Sequence, residues 1–432
     1  MGTLRRLLAL AGPVTLTLHL GCLPPPAPTS PAKVASAPPL VQSDSDPAVL
    51  SVASSGGKPR TEAQIVVELQ GLERAAEGTT PESPDRPGLY RRLAEGYVEL
   101  ESAALRDQID HESTAAAQRA KDPTAELRSA DAERAGVVVA AARHKAIKYY
   151  QALATKYPTF CVSPGVHCGD EVLYHLAYEH EQARSEEDAR RVYLDLVKQF
   201  PQSTYLPHAY LAFAEHLFVE AQSDASRFAL AEQAYRKAAE AVPPPENAVW
   251  GYAHYKLAYV YWNQGDTVRA LVELQDVIEF ATRFPSLPNA ERLGVTARRD
   301  LVPVYALKGD PEKAFEYFKP LSGDPAGDAR RTLAMSVDLG QSYLDTGHYK
   351  ECVLLDLDLL RRAPGEPSCA PLAQLDHAML RATKTDAAAL QAALARGKQR
   401  LDQARKSCSG QPVMVAPGAL HKCASTDPCN GL

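Results

Sequence analysis

The amino-acid sequence predicts an all-α superhelix, a solenoid of antiparallel helix pairs preceded by a long helical hairpin arm. Three observations indicate this fold. An Ala is repeatedly followed by an aromatic residue four positions later and by a Pro eight positions after that. Later units carry a Gly between their two halves, and residues 61–145 are rich in Ala, Glu, Arg and Gln, which are strong helix formers. A pattern repeated at a fixed period along a chain is typical of a solenoid.

The repeat is visible in six units. In the first three, which contain Ala146, Ala189 and Ala231, the pattern is complete and the units are 42 to 43 residues apart. The small residues of the three later units, which keep the arrangement with drift, are Ala270, Ala314 and Cys352. A small residue where two helices cross lets the backbones approach, while Leu and aromatic residues one turn away fill the space to the next pair. Each unit is therefore predicted to be one helix pair.

The first helix of each pair is predicted upstream of the small residue named above. It is marked by a Leu, which in most units is followed directly by another small residue. These motifs are Leu176-Ala177, Leu211-Ala212, Leu257-Ala258, Leu301 and Leu339-Gly340. Gly265, Gly309 and Gly347 follow the later first helices, where a helix C-terminus favours a residue in the left-handed conformation. Because Leu211 and Ala231 are seven residues too far apart for the repeat, an extra loop is predicted at 221–227.

This arrangement resembles the tetratricopeptide repeat (TPR) family, whose pattern of Leu, Gly, Tyr, Ala, Phe, Ala and Pro recurs about every 34 residues. The resemblance covers residues 88–365, with units closer to about 40 residues that imply longer helices or loops. It implies a superhelix whose first helices line a groove for peptides or partner helices. It also implies a role in binding other proteins and not in catalysis, although a fold alone does not establish a function.

Three stretches are similar to the TPR lipoproteins of Gram-negative envelopes, in particular to the BamD-like, Tol–Pal accessory-like and myxobacterial members. These stretches are Tyr149–Pro158, Val192–Tyr210 and Tyr252–Tyr261. The resemblance implies an adaptor in a bacterial envelope. It transfers no functional residue individually, because these families share packing positions and not a common site.

The segments around the repeats differ in composition. Residues 61–145 are predicted to hold a capping helix near 61–77 and most of the arm, whose two long helices are placed at 88–121 and 124–156. The other predicted segments are a signal peptide with a lipobox-like end (1–22), a Pro-rich disordered tether (23–60), the repeat array (146–365), C-terminal capping helices (366–406) and an irregular Cys-containing tail (407–432).

The N-terminus is predicted to be an export signal. Arg5 and Arg6 precede a mostly apolar stretch that is too short to span a bilayer comfortably. The stretch ends at Leu20-Gly21-Cys22, which resembles the end of a bacterial lipobox, with His19 where that motif usually has Leu. Two interpretations stay open: a lipid anchor on Cys22, or an ordinary signal peptide cut nearby. With the anchor, the Pro-rich tether would hold the folded part away from the membrane, and the periplasmic face of the outer membrane is the expected location.

Cysteine spacing is consistent with an exported protein. Cys161 and Cys168 bracket a loop that contains Pro and Gly, so a local disulfide is the leading interpretation, with free thiols or a metal site as alternatives. Cys423 and Cys429 suggest a similar bridge, and Cys408 is expected to pair with a later cysteine. Without Cys22 the number of cysteines is odd, so at least one is unpaired or intermolecular.

No motif for catalysis or cofactor binding is found in the sequence, so no catalytic residue, cofactor or metal is predicted. His175 and Glu179 are close on one helical face and are interpreted as a solvated helix edge. The net charge of −6 carries no basic stripe of the kind that binds nucleic acid. Several Arg pairs are expected to be solvated or to form a basic edge for an acidic partner: Arg190-Arg191, Arg298-Arg299, Arg330-Arg331 and Arg361-Arg362.

One helix of the array is unusually aromatic, with Trp250, Tyr252, Tyr255, Tyr259 and Trp262. Helical spacing allows these residues to pack in the core, and the alternative is that some of them line a partner-binding groove, because aromatic residues carry much of the binding energy at such surfaces. Two functions follow. The first is a scaffold that binds other envelope proteins. The second is a cell-wall or ligand-binding accessory subunit of an envelope enzyme, which would place perturbed carboxylate or His groups in the groove.

Overall fold

The computed structural model describes residues 60–122, 130–163, 165, 168–362 and 369–409, with only the backbone at 384, 385 and 387–389. All of them belong to Pro39–Leu432, one of the two units into which the chain divides. The described residues form fifteen α-helices and one short 3-10 helix and include no strand, which confirms the predicted all-α superhelix. Cys22, Cys423, Cys429 and the predicted signal peptide lie outside the described residues, as do nearly all of the predicted tether and most of the predicted tail.

The helices follow one another in chain order with short connections. Their bounds are α1 Glu62–Gly78, α2 Arg86–Lys121, α3 Ala130–Lys156, α4 Gly169–Gln182, α5 Glu186–Gln199, α6 Leu206–Ala221, α7 Arg227–Glu240, α8 Trp250–Asn263, α9 Thr267–Arg283, α10 Ala290–Ala306, α11 Ala314–Phe318, α12 Arg330–Thr346, α13 Tyr349–Arg362, α14 Cys369–Arg381 and α15 Lys384–Ser407. Among these helices, none combines the length and the apolar character that crossing a bilayer requires.

The two longest helices, α2 and α3, pack along each other as a hairpin, and α1 packs on α2. Helix α1 begins at a capping box in which the Thr61 backbone N–H donates to Gln64 Oε1 at 3.0 Å. Buried residues of α2 are frequent from Pro87 to Ala104, and beyond that only Ala115 is buried. The second half of α2 therefore has few neighbours other than α3.

The helices form pairs, of which α2 with α3 is the first, α4 with α5 the second and α6 with α7 the third. Each helix packs against the next, and the first helices α6, α8, α10, α12 and α14 also contact one another in succession. This two-layer arrangement is that of a TPR-like superhelix. The small residues of the six predicted units are all buried, with at most 2% of each exposed: Ala146, Ala189, Ala231, Ala270, Ala314 and Cys352.

The third pair departs from the predicted register. Helix α6 extends to Ala221, and α7 begins at Arg227, so the extra residues lengthen α6 as well as the turn. Leu211 and Ala212, the predicted core motif, are only partly buried, and Ala209 and Ala214 take the buried positions. The predicted motif of this helix was wrong, because Ala214 is the residue that lies as far from the start of α6 as Ala177 does from the start of α4 and Ala258 from the start of α8.

Glycine has two different roles at the ends of the first helices. Gly265 and Gly347 are left-handed, with φ of 76° and 79°, as predicted. Gly309 is not left-handed, so the prediction was wrong there. A Cβ at Gly309 would lie 2.2 Å from Tyr305 Cε1, so glycine is needed because the Tyr305 ring packs against the backbone. The second helix of that pair is also short, a 3-10 turn at Pro311–Lys313 followed by the five residues of α11.

Two disulfides join described cysteines. Cys161 and Cys168 are bonded across their loop. Cys408, which was expected to pair with a later cysteine, is bonded to Cys369 instead, because α15 runs back so that its end meets the beginning of α14. Helix α15 also packs on α13 and α14. The bridge therefore closes the C-terminal end of the described array, and Cys352 is a free, buried thiol.

Replacing Ala270 by Leu should lower the free energy of unfolding by about 1–3 kcal/mol, because no space remains beside this fully buried residue where α9 crosses its partner. Val268→Leu is the matched control on the same helix, since Val268 is 67% exposed, and its effect should stay within about 0.5 kcal/mol. Urea unfolding followed by circular dichroism measures both. Equal effects of the two substitutions would contradict close helix approach at Ala270.

Candidate functional site

The aromatic helix α8 is mainly a structural element. Tyr252, Tyr255 and Tyr259 are buried, whereas Trp250 and Trp262 lie at opposite ends of the helix and are partly exposed. Of these five aromatic residues, only the two tryptophans could therefore contact a partner in a groove. The three tyrosines pack in the core.

Hydrogen bonds explain why these tyrosines face inward. The hydroxyls of Tyr255 and Tyr259 both donate to Asp300 Oδ2 on α10, each at 2.7 Å. Burial raises the pKa of both phenols, so they remain protonated donors. The other carboxylate oxygen of Asp300 accepts from Arg299 Nε at 2.9 Å. One buried carboxylate thus links the fourth helix pair to the fifth.

A similar carboxylate links the third pair to the fourth. Glu215 on α6 accepts from Tyr235 on α7 at 2.7 Å and from Lys256 Nζ on α8 at 3.1 Å. Lys256 is buried, and its ammonium lies 4.2 Å from the centre of the Phe218 ring. These contacts hold one wall of the cleft described next.

A cleft of about 550 Å³ opens between the end of α4, the length of α5 and the exposed side of α6. Its lining residues are Glu181, Gln182, Arg184, Glu186, Ala189, Arg190, Tyr193, Ala212, Glu215, His216 and Val219. No sequence pattern predicts this site, because its walls come from three helices of two different pairs.

The cleft lies beside a packed junction between the second and third pairs. Tyr174 of α4 stacks on Tyr205, the residue before α6, with ring centroids 4.6 Å apart, and its ring lies 5.2 Å from that of His208 on α6. Ala214 of α6 is fully buried, whereas Ala212 is only partly buried and lines the cleft. The cleft is therefore a groove at the surface of a continuous core.

Arg184 is the most unusual residue of the cleft. It has φ of 59° at the end of α4, where Ser185 N–H donates to His180 O at 2.9 Å. Gly265 and Gly347 have the same position at the ends of α8 and α12, with the equivalent bonds from Asp266 and His348. A non-glycine residue in this conformation is strained by roughly 1–2 kcal/mol. Such strain is found mainly at functional sites, where a side chain is required for another reason.

The cleft presents two guanidinium groups that no carboxylate neutralises. The Arg184 side chain is exposed and forms no hydrogen bond or ion pair with the described residues. Arg190 contacts His216 Nε2, which also lies 2.9 Å from Glu220 Oε1, and Arg190 itself is not paired with an acid in the described part of the chain. A guanidinium binds a carboxylate through two parallel hydrogen bonds. Glu181, Glu186 and Glu215 also line the cleft, so Arg184 and Arg190 offer a local site for a carboxylate and not a basic surface.

The predicted basic edge is not formed by most of the arginines, because nearby acids neutralise them. The pairs are Arg191–Asp188, Arg299–Asp300, Arg330–Asp328, Arg361–Asp358 and Arg362–Asp358. Paired guanidiniums at an exposed edge offer little to a partner. In the described part of the chain Arg298 and Arg331 also have no acid partner, but they donate to the backbone carbonyls of Leu321 and Gly323, whereas the Arg184 side chain forms no hydrogen bond.

The predicted solvated edge at His175 and Glu179 was also wrong. Glu179 is 2% exposed, and the His175 ring stacks on Tyr150 at 5.6 Å. His175 Nε2 lies 3.6 Å from Glu171, which in turn accepts from Arg91 at 3.0 Å. These residues pack α4 against α2 and α3 and do not form an open acid–base site.

Outside the cleft, Asp356 on α13 is an acid whose pKa is strongly shifted. It is fully buried, and its Oδ1 has no hydrogen-bond partner among the described residues. The Cys352 thiol donates to Oδ2 at 3.3 Å. Burial raises the pKa of Asp356 well above its ordinary value, so the group is held as the neutral acid.

Residues 252–280, within α8 and α9, match the family model of the tetratricopeptide repeat. No curated protein is significantly similar to the chain. The match supports a TPR-type protein, and TPR repeats typically serve as protein-interaction scaffolds without catalytic activity.

Replacing Asp356 by Asn should make stability less dependent on pH. The unfolded carboxyl ionises at about pH 4. Because the folded pKa is raised, the favourable contribution of this acid is complete below about pH 4 and is lost as the pH rises towards the folded pKa. The stability of the variant relative to wild type should therefore be greater at about pH 7 than at about pH 4.

Urea unfolding at the two pH values measures this difference. Asp376→Asn is the control, since the Asp376 side chain is 49% exposed, and it should show the pH dependence of the wild type. An unchanged pH dependence in the Asp356 variant would refute the assignment.

Proposed function

We propose that this TPR-type protein is a non-catalytic scaffold of a bacterial envelope assembly, and that the cleft between α4, α5 and α6 receives an acidic segment of a partner protein. The observation that carries the proposal is Arg184. A charged, unpaired side chain stands in a backbone conformation that glycine adopts at the equivalent positions of two other pairs. Keeping a strained arginine there is reasonable when its guanidinium has a ligand.

The size and lining of the cleft suit a peptide. Pockets that hold small ligands have volumes of about 300–1,000 Å³, and this cleft lies within that range. Tyr193 donates to Glu181 at 3.0 Å, and Glu215 is held by Tyr235 and Lys256, so these acids are already engaged. Arg184 and Arg190 remain to bind the incoming group. Arginine is also among the residues that contribute most to protein–protein binding.

Envelope location is part of the same proposal. The two disulfides, Cys161–Cys168 and Cys369–Cys408, favour an oxidising compartment such as the periplasm. The apolar stretch that ends at Cys22 and the Pro-rich segment after it favour export and a tethered lipid anchor. We infer that the protein is anchored at the periplasmic face of the outer membrane and binds other envelope proteins there. Neither nucleic acid nor a cofactor is expected among its ligands.

The alternative function, a cell-wall or ligand-binding subunit of an envelope enzyme, is less well supported. It would require free carboxylate or His groups in the cleft, arranged for acid–base work. Of the three acids of the lining, Glu181 and Glu215 are engaged in hydrogen bonds and Glu186 is exposed, while His216 lies against Arg190 and Glu220. One exposed acid does not form the acid–base pair that this alternative requires, which favours the scaffold.

Arg184→Gly should stabilise the protein and weaken its binding. Relief of backbone strain should raise the free energy of unfolding by about 1 kcal/mol. Loss of the guanidinium should reduce affinity for a labelled hexaglutamate peptide by about tenfold, as expected for removal of one charged contact. Fluorescence anisotropy measures the binding, and urea unfolding measures the stability.

The gain in stability separates a binding defect from misfolding. Arg191→Ala is the matched control, because Arg191 lies beside Arg190 but pairs with Asp188, and its affinity for the peptide should equal that of wild type. After crosslinking of envelope fractions, Arg191→Ala should recover as much partner protein as wild type, and Arg184→Gly should recover less. Unchanged peptide binding by Arg184→Gly would contradict the assignment of the cleft.

Cys22→Ser should move the protein from the membrane fraction to the soluble fraction, because a serine cannot carry the thioether-linked lipid. Fractionation of cells that express each form, followed by immunoblotting, measures the distribution. A variant that stays with the membrane would exclude the lipid anchor, while leaving the cleft proposal untouched.

A further inference from the structure

A second cluster of ionisable side chains lies outside the cleft, between α8 and α9. It consists of His254 on α8 with Glu273 and Asp276 on α9, and one nitrogen or oxygen of each lies within 4.8 Å of the others. His254 Nδ1 is 2.6 Å from Glu273 Oε2. Glu273 and Asp276 are three residues apart, so they lie on the same face of the helix. The pairing of α8 with α9 therefore brings one imidazole and two carboxylates together.

The charges of this cluster favour a cation. Asp276 forms no hydrogen bond or ion pair with the described residues. Its pKa is raised by burial and by the negative charges of Glu273 and Glu279, and only His254 acts in the opposite direction. Even with a protonated His254, Asp276 and Glu273 would leave the three-residue cluster with a charge of about −1, and Glu279 adds to it. A divalent cation would neutralise these carboxylates.

The cluster is held by rigid neighbours. The Trp250 ring lies 3.8 Å from the His254 ring and 5.2 Å from the Phe280 ring, so it forms an aromatic wall on one side. The His254 and Glu273 side chains are only 18% and 12% exposed. The contact with Trp250, whose ring is tilted by 36° to the imidazole, orients His254, and helices fix the positions of all three Cα atoms. Preorganisation of this kind is what a metal site requires.

We propose that His254, Glu273 and Asp276 form a binding site for a divalent transition-metal ion of the Zn²⁺ type. An imidazole nitrogen with two carboxylate oxygens suits such ions better than it suits Mg²⁺ or Ca²⁺, which prefer oxygen ligands alone. In tetrahedral coordination, ligand bonds of about 2.0–2.2 Å place two ligand atoms about 3.3–3.6 Å apart, so side-chain rotations that move these atoms by roughly 1 Å would close the present cluster around an ion. The ion would replace the His254–Glu273 contact and bind both residues, together with Asp276.

Two properties follow from this coordination. Zn²⁺ should stabilise the helix pair, since it binds residues of both α8 and α9 in the folded chain alone. Affinity should rise with pH, because the imidazole must be unprotonated to bind the metal. Three protein ligands also leave a coordination position for water or for a side chain of a bound partner.

Isothermal titration of the metal-free, full-length chain with Zn²⁺ tests the site. Asp276→Asn is the decisive variant, because the carboxylate has no other partner and its loss should not disturb the fold. It should lower the affinity for Zn²⁺ by about tenfold or more, and it should reduce the increase in melting temperature that Zn²⁺ causes. His254→Gln, which removes the nitrogen ligand, should have the same effect.

Glu279→Gln is the matched control, since it removes a nearby negative charge but no proposed ligand. Its affinity should stay within about threefold of wild type. The proposal would be overturned by three results: no saturable binding of Zn²⁺ to the wild type, equal losses in the Asp276 and Glu279 variants, or binding of Mg²⁺ as tight as that of Zn²⁺. Equal losses would indicate general attraction by charge and not coordination.

Discussion

The structure depends on the close approach of paired helices at small, fully buried residues. Where Ala146, Ala189 or Ala270 meets the neighbouring helix, there is no room for a larger side chain, and this contact sets how each pair packs on the next. Buried carboxylates then join successive pairs, as Asp300 does for α8 and α10. These bonds make the orientation of one pair depend on the next, because a buried acid without its donors would be strongly destabilising. The array is thus stiff where it is regular.

The proposed function arises where this regularity is broken. At the junction of the second and third pairs, a left-handed arginine, Arg184, stands where the left-handed glycines Gly265 and Gly347 end two other first helices. Its guanidinium lies beside the cleft, which the partly buried Ala212 also lines. The strain at Arg184 lowers stability, and proteins commonly accept such losses at sites that bind ligands.

Much of the fold could be predicted from the sequence because its signals are local. The small residue, the aromatic and the Pro of each unit lie within one turn or one helix of each other, and a left-handed Gly265 follows from helix-end geometry. Predictions failed where the outcome depended on distant contacts. Which face of α6 is buried depends on the helices around it, so Ala214 and not Ala212 lies in the core. Cys408 pairs with Cys369 because α15 runs back to α14, and Tyr255 meets Asp300 across two helices. The cleft was missed for the same reason, since it lies between units and not within one.

The most direct test of the account is hydrogen exchange of the full-length protein with and without the hexaglutamate peptide. Binding in the cleft should slow exchange in residues 181–193 and 206–219, which form its walls, and should leave α12 and α13 unchanged. Protection confined to α8, or spread evenly over the array, would contradict the claim that the irregular junction is the binding site.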